Sequence, residues 1–252
     1  SLDMQRKALG TIFCPGSGLG FWYQFGQLHG LLSTTSTIQP QNVRQIGVSA
    51  GALAISLVNL GISFDTCVSE ALRATKTITG NETGNLSLTS GRSQVLPIVE
   101  TWLNSIVPKE ISKKHIHNLH NVHLVALNTK FQHVTFTGQD LTRSRQDLID
   151  ILLATVSIPG VLTLTPKHIV PANEYCFDAL KYYPGIKVLR ISSPPVRKAD
   201  PETALKMFFE GVERGKEKQE LLGVKECELE LNQALPFPVS SAWRSINPWK
   251  IK

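Results

Sequence analysis

No stretch of this 252-residue chain approaches the roughly 18 to 20 consecutive apolar residues that a membrane span needs, so no transmembrane segment is expected. Ser1 to Lys7 are polar, with no apolar run leading toward a cleavage site, and no secretory leader is expected. No Pro/Ser-rich linker, charge block or internal repeat divides the chain, and its length suits one α/β domain over residues 1–252. Cysteine is scarce. Cys14, Cys67, Cys176 and Cys227 are widely spaced with no pairing pattern, which argues against a disulfide scaffold and for reduced thiols in an intracellular, cytoplasmic protein. Two glycosylation triplets, Asn81-Glu82-Thr83 and Asn85-Leu86-Ser87, carry little weight without a leader.

What is present is an ordinary globular composition, 42% hydrophobic and 18% charged. The net charge of +6 and pI near 9.2 favour approach to anionic surfaces. The basic residues are scattered, which reads as a solvated surface and gives no nucleic-acid site. One local cluster stands apart: Trp243-Arg244 through Trp249-Lys250-Ile251-Lys252 mixes aromatic and basic side chains, as peripheral membrane contacts do. The competing reading of that tail is tryptophans docked on the body of the protein.

Strands are expected at Ala8–Cys14, Val43–Val48, Val122–Asn128, Phe131–Thr137, within Ile169–Phe177, and at Ile186–Ile191. Helices are expected at Phe21–Leu32, Ala50–Leu60, Phe64–Lys76 (capped by Ser63 or Asp65), Gln94–Ile106, Arg143–Val156 and Pro201–Leu222. Thr77–Arg92, rich in Thr, Asn, Gly and Ser, reads as a long surface loop and a candidate flap. The alternation implies an α/β fold of three layers, a mostly parallel central sheet with helices on both faces.

Gly47-Val48-Ser49-Ala50-Gly51 falls where the second strand should give way to a helix. A strand reversing into a helix over one residue forces that residue into a strained, left-handed conformation and requires small neighbours two positions either side. Chance alone produces Gly-x-Ser-x-Gly in about one chain in ten of this length, so the strand-helix context carries the argument. Ser49 is then a candidate nucleophile over the positive end of the following helix.

A serine hydroxyl needs a base. No histidine follows His168, and only one strand precedes the elbow strand, so a triad of Ser49 with Asp147 or Asp150 and His168 fits the α/β-hydrolase order on paper only. The alternative is a carboxylate acting directly. Asp178 ends the expected strand Glu174-Tyr175-Cys176-Phe177, at the edge where it can meet the elbow; its bland reading is a turn cap. With an ordinary pKa of about 3.9, an aspartate is a weak base, so the site must raise that value or rely on stabilising transition-state charge.

Gly16, Ser17 and Gly18 form a glycine-rich turn after the first strand, and their backbone amides are candidates for an oxyanion hole. The dinucleotide fingerprint is the alternative, but its third glycine is replaced by Phe21 and no suitable acid ends the second strand. His115, His117, His120 and His123 crowd nine residues, yet the spacing straddles a helix-to-strand transition, so a polar surface turn is preferred to a metal site.

With these residues in place the chain resembles the patatin-like phospholipase family, in particular its adiponutrin and adipose triglyceride lipase branch. Gly16-Ser17-Gly18-Leu19-Gly20-Phe21-Trp22-Tyr23-Gln24-Phe25-Gly26 is similar to the family's oxyanion turn, and Gly47-Val48-Ser49-Ala50-Gly51-Ala52-Leu53 to its elbow. Ser157-Ile158-Pro159-Gly160 resembles the segment preceding the dyad aspartate, and Phe177-Asp178-Ala179 falls where that aspartate belongs. The resemblance runs in order from Ala8 to Ile191. It implies a Ser49–Asp178 dyad that cleaves carboxylic esters of phospholipids or acylglycerols through an acyl-enzyme, without metal or organic cofactor, at a membrane or lipid-droplet surface. Phe21, Trp22 and Phe25 are either walls of an acyl path or core, with core preferred. Two departures stand out: Phe21 where the family has glycine, and Asp178-Ala179-Leu180 where it has Asp-Gly-Gly or Asp-Gly-Ala. The second motivates an alternative, a lipid-binding or scaffolding protein that kept the fold and lost catalysis.

Overall fold

The computed structural model describes residues 10–32, 39–80, 92–158, 167–179, 182–186, 188–196 and 200–223. Their strands are β1 (Thr11–Cys14), β2 (Arg44–Val48), β3 (Val122–Asn128), β4 (His133–Phe136), β5 (Lys167–Ile169), β6 (Glu174–Asp178) and β7 (Leu189–Arg190). Their helices are α1 (Phe21–Leu31), α2 (Ala50–Asn59), α3 (Phe64–Thr79), α4 (Arg92–Ile106), α5 (Lys113–Leu119), α6 (Gly138–Leu141), α7 (Arg145–Val156) and α8 (Pro201–Gly223). No helix among the described residues is long and apolar enough to cross a membrane.

The sheet is mixed. β7, β1, β2 and β3 lie side by side and parallel, while β4, β5 and β6 join by antiparallel pairing. The register around β3 decides where the site can be. Val125 pairs with Val48 of β2 and with Thr135 of β4; one residue on, Ala126 pairs with Val134 of β4 and with Asp178 of β6. A strand has two edges. With β4 occupying one edge throughout, β2 and β6 share the other, so the carboxyl end of β6 runs head-on into the carboxyl end of β2.

Burial explains the elements. β2 is buried from Gln45 to Val48, as a central parallel strand should be. α2 is buried on nearly all sides because it lies between the sheet and α1 and α7. α1 and α8 form the densest helix pair. Gly26 and Gly30 of α1 face Gly211 and Gly215 of α8 closely enough that a Cβ at Gly26 would stand 2.1 Å from the Phe208 carbonyl oxygen, and one at Gly215 2.1 Å from that of Gln27. Any side chain there forces the helices apart. Beside this crossing, Phe21, Trp22, Phe25, Phe64, Trp102 and Phe208 form one aromatic cluster, with Phe64 and Phe208 stacked at 4.1 Å.

The described helices all contribute their buried apolar residues to one face of the sheet. The opposite face carries a smaller cluster of Phe13, Ile46, Val48, Val125, Ala179 and Val188, with Leu127 and Tyr182 against it, drawn from strands and the segment after β6. Among the described residues, helices thus cover one face of the sheet and not both.

Several boundaries moved. The loop expected from Thr77 begins later, because α3 runs to Thr79 and closes on Gly80 at φ 66°. Thr77 and Thr79 stay helical by turning their hydroxyls back onto the Arg73 and Thr75 carbonyls, each at 2.8 Å. Residues 81–91 of the candidate flap, and the aromatic and basic tail, lie outside the described residues. The strand expected over Ile186–Ile191 is confined to Leu189–Arg190, since the chain is still turning at Gly185, φ 63°. Of the two proposed caps on α3, Ser63 is the one that bonds, its oxygen accepting from the Thr66 N–H at 3.2 Å.

Candidate active site

Ser49 sits between β2 and α2 with φ 53° and ψ −132°, one of three non-glycine residues at positive φ among those described. Holding a serine there costs on the order of 1–3 kcal/mol, which the surrounding packing must offset. That packing is visible. A Cβ on Gly51 would stand 2.2 Å from the Cys14 carbonyl oxygen, and one on Gly47 2.7 Å from the Ala52 Cα. Both glycines of the pentapeptide are therefore enforced by backbone contact, as the sequence pattern requires. The Ser49 carbonyl accepts the Ala52 N–H at 2.9 Å, so the serine is the N-cap residue of α2, at its positive end.

Asp178 is the last residue of β6 and is 1% exposed. Its rung on β3, Ala126, directly follows that of Val48, so along β3 the aspartate lies about 3.4 Å beyond the residue that precedes Ser49. Ser49 must leave the sheet at this point because Asp178 occupies the next position. Paired residues point to the same face, and Ala126 belongs to the helix-side cluster, so the carboxylate faces the layer holding α2 and α7. The Asp178 N–H donates to the Ser157 carbonyl at 2.7 Å, which ties the end of β6 to the residue that ends α7. Ser157 and Ile158, but not Pro159 and Gly160, are among the described residues.

The glycine turn closes the third side. β1 and β2 are in register at Cys14 and Gly47, which brings Gly16 alongside Ser49; a Cβ on Gly16 would be 3.1 Å from the Ser49 Cβ and 3.5 Å from its Oγ. Gly16 and Gly18 are exposed, and Gly18 takes φ 53°. Among the described residues, the N–H groups of Gly16, Ser17 and Gly18 donate to no backbone carbonyl of a turn, loop or cap. The structure therefore sets Gly16 against Ser49, and places Asp178 one rung of β3 beyond Val48, where the carboxyl ends of β2 and β6 meet.

Sequence reasoning passed over Gln24, a fully buried amide on α1 that bonds the turn from behind. Two amides at i and i+3, Gln24 and Gln27, in a helix that is mostly apolar were the signal that could have found it.

Phe21 and Ala179 both sit in ordinary backbone. Phe21 opens α1 in ordinary helical conformation, its ring stacked at 5.4 Å on Phe25 and edge-on to Trp102. Phe21, Trp22 and Phe25 are buried, which makes them core. Ala179 is not among the residues at positive φ, and its methyl fills the second cluster at 2% exposure. The strain that alanine would suffer in a left-handed turn does not arise.

The histidine triad is not assembled. His168 lies on β5, its ring against Tyr175 at 4.9 Å, on the face of the sheet opposite Asp178. Asp150 pairs with Lys167 at 3.1 Å, and Asp147 bonds the Ser144 hydroxyl that caps α7. The clustered histidines are dispersed in role: His115 completes the capping box of α5, and His123 turns its ring to the Asn121 carbonyl. Among the described residues no three His, Cys, Asp or Glu side chains converge on a metal position. Cys14, Cys67 and Cys176 are free and buried; burial pushes all three thiols up, Cys176 to about 11, so they are protonated at neutral pH and poor nucleophiles.

No protein-family model and no curated protein sequence matches the chain. Among solved structures, the crystal structure of VipD from Legionella pneumophila resembles it with a TM-score of 0.40 and 13% sequence identity, over 72% of this chain and 49% of that one. The chain thus spans about half the length of VipD.

Proposed function

We propose that the protein is a serine acyl hydrolase that cleaves lipid esters through a Ser49–Asp178 dyad. The observation that carries the reading is the meeting of β2 and β6 end to end on one edge of β3, with the strained serine at one end and the buried aspartate at the other. In this reading the Ser49 hydroxyl attacks the ester carbonyl while the Asp178 carboxylate accepts its proton. The tetrahedral oxyanion is held by the amides of Gly16, Ser17 and Gly18, supported by the dipole of α2. Collapse expels the alcohol, which takes the proton from Asp178, and leaves an acyl-Ser49. Asp178 then deprotonates a water that releases the fatty acid and restores the serine.

The patatin-like resemblance supplies the substrate class, phospholipids or acylglycerols, and contact with a membrane or lipid-droplet surface. The ordinary backbone at Ala179 supports activity over a binding role, because the altered aspartate turn imposes no strain. The test is lipid-class profiling of mixed phospholipid and acylglycerol vesicles incubated with the protein and with Ser49→Ala. Release of free fatty acid by the first alone supports the reading; equal lipid profiles from both contradict it.

A further inference from the structure

We infer that Gln24 is the positioning residue of the oxyanion turn, an inference that rests on the hydrolase reading for its catalytic consequence but not for its geometry. Gln24 lies in the first turns of α1 and is fully buried. Its amide is saturated: Oε1 accepts the Ser17 hydroxyl at 2.8 Å, and Nε2 donates to the carbonyls of Pro15 at 3.0 Å and Ile191 at 3.1 Å. One side chain thereby grips the turn at two points and anchors it to the strand at the sheet's edge, where Ile191 N–H in turn donates to Phe13 at 2.8 Å.

The consequence follows from peptide planarity. In a trans peptide the C=O of one residue and the N–H of the next point in opposite directions. With the Pro15 carbonyl turned inward to Gln24, the Gly16 N–H is turned outward, to the exposed side where Gly16 meets Ser49. The Ser17 carbonyl is likewise fixed, accepting the Gly20 N–H at 2.9 Å, so the Gly18 N–H points the other way. The Ser17 hydroxyl, committed to Gln24, is removed from the site as a donor and leaves recognition to the backbone. Preorganised donors need no rearrangement when charge develops, and that is what makes an oxyanion hole effective. A buried glutamine is suited to this task because two donors and an acceptor in one plane match two carbonyls and a hydroxyl.

The test compares the wild type with Gln24→Ala and with Ser17→Ala, which removes one of the three bonds at a half-buried position and carries little risk to folding. Two quantities are read: backbone 15N order parameters of Gly16 to Gly18, and the KM and kcat for a soluble short-chain aryl ester. The expected result is order parameters falling from about 0.85 toward 0.6 or below in Gln24→Ala. In the same variant kcat falls about 100- to 1000-fold, the loss typical of a misplaced oxyanion donor, with KM within about twofold. Ser17→Ala shifts both in the same direction by less. Unchanged order at Gly16 to Gly18 in both variants overturns the inference whatever the rates, as does lost order with undiminished kcat. Order lost on substitution, in a protein whose wild type shows no Ser49-dependent turnover, leaves the positioning role standing and defeats the hydrolase reading instead.

Discussion

Asp178 occupies the rung of β3 that Ser49 would have taken had β2 run on for one more residue. The serine is turned out of the sheet into α2 and the aspartate arrives from the opposite direction, so the two are brought together by register and not by a long loop. Ala126, the rung partner of Asp178 on β3, is fully buried on the helix side of the sheet.

This relationship makes Ala126 a sensitive position. Replacing it with leucine adds bulk on the rung beside the carboxylate, on the same face of the sheet, with an overpacking cost of about 1–3 kcal/mol. The expected outcome is a protein that still folds, by circular dichroism and a cooperative thermal transition, and that loses at least about tenfold in kcat for an aryl ester assayed well below its Tm. Retained turnover would mean that Ser49 and Asp178 do not work as a pair across this residue.

The elbow glycines allow no side chain. Gly51→Ala drives a methyl into the Cys14 carbonyl, 2.2 Å away, where only backbone can yield. A loss of about 1–3 kcal/mol or more is expected, together with loss of Ser49 reactivity, measured by thermal unfolding and by a serine-directed probe on the same sample.

The crossing of α1 and α8 depends on its glycines in the same way. Gly30→Ala sets a methyl 2.1 Å from the Val212 carbonyl oxygen. At about 1–3 kcal/mol the expected fall in Tm is roughly 2–12 °C. Gly30 lies at the carboxyl end of α1, whereas the turn precedes its amino end, and differential scanning calorimetry should show this loss with the aryl-ester KM unchanged.

Stability should decline in mild acid. Burial between Phe25 and Phe208 holds the His29 pKa below the ordinary histidine value, opposed by a backbone bond to Ile62, and burial does the same at His123. Below about pH 6.5 the unfolded chain binds protons that the folded one refuses, so stability falls as pH drops through that value toward the folded pKa. Tm measured from pH 7.5 to 5 should decrease, and His29→Leu should flatten the slope. A slope unchanged by that substitution would assign the acid sensitivity elsewhere.

How much of this was legible depended on how local the cause was. The elbow could be read because its requirements fall within five residues and each has a visible steric reason. Asp178 could be nominated because it ends an apolar run, but the edge it shares with β2 is a non-local register between residues some 130 positions apart, which composition does not encode. The glycine pairs at Gly26 and Gly30 and at Gly211 and Gly215 have the spacing of a close crossing, yet nothing in either helix names the other as its partner. Gln24 escaped for a related reason: in sequence it is one of three polar residues, with Gln27 and His29, in an otherwise apolar helix, and only the fold shows which carbonyls it meets. The clustered histidines take separate roles, His115 in the capping box of α5 and His123 against the Asn121 carbonyl, because clustering in sequence is not convergence in space.

The account is tested most directly by the rate at which a fluorophosphonate modifies the protein, followed by intact-mass and peptide mass spectrometry, in the wild type, Ser49→Ala and Asp178→Asn. The dyad predicts stoichiometric modification of Ser49 in the wild type, none in Ser49→Ala, and a rate in Asp178→Asn lower by about 100-fold or more, the contribution of a general base. Modification of Ser49 at the wild-type rate in Asp178→Asn would contradict it.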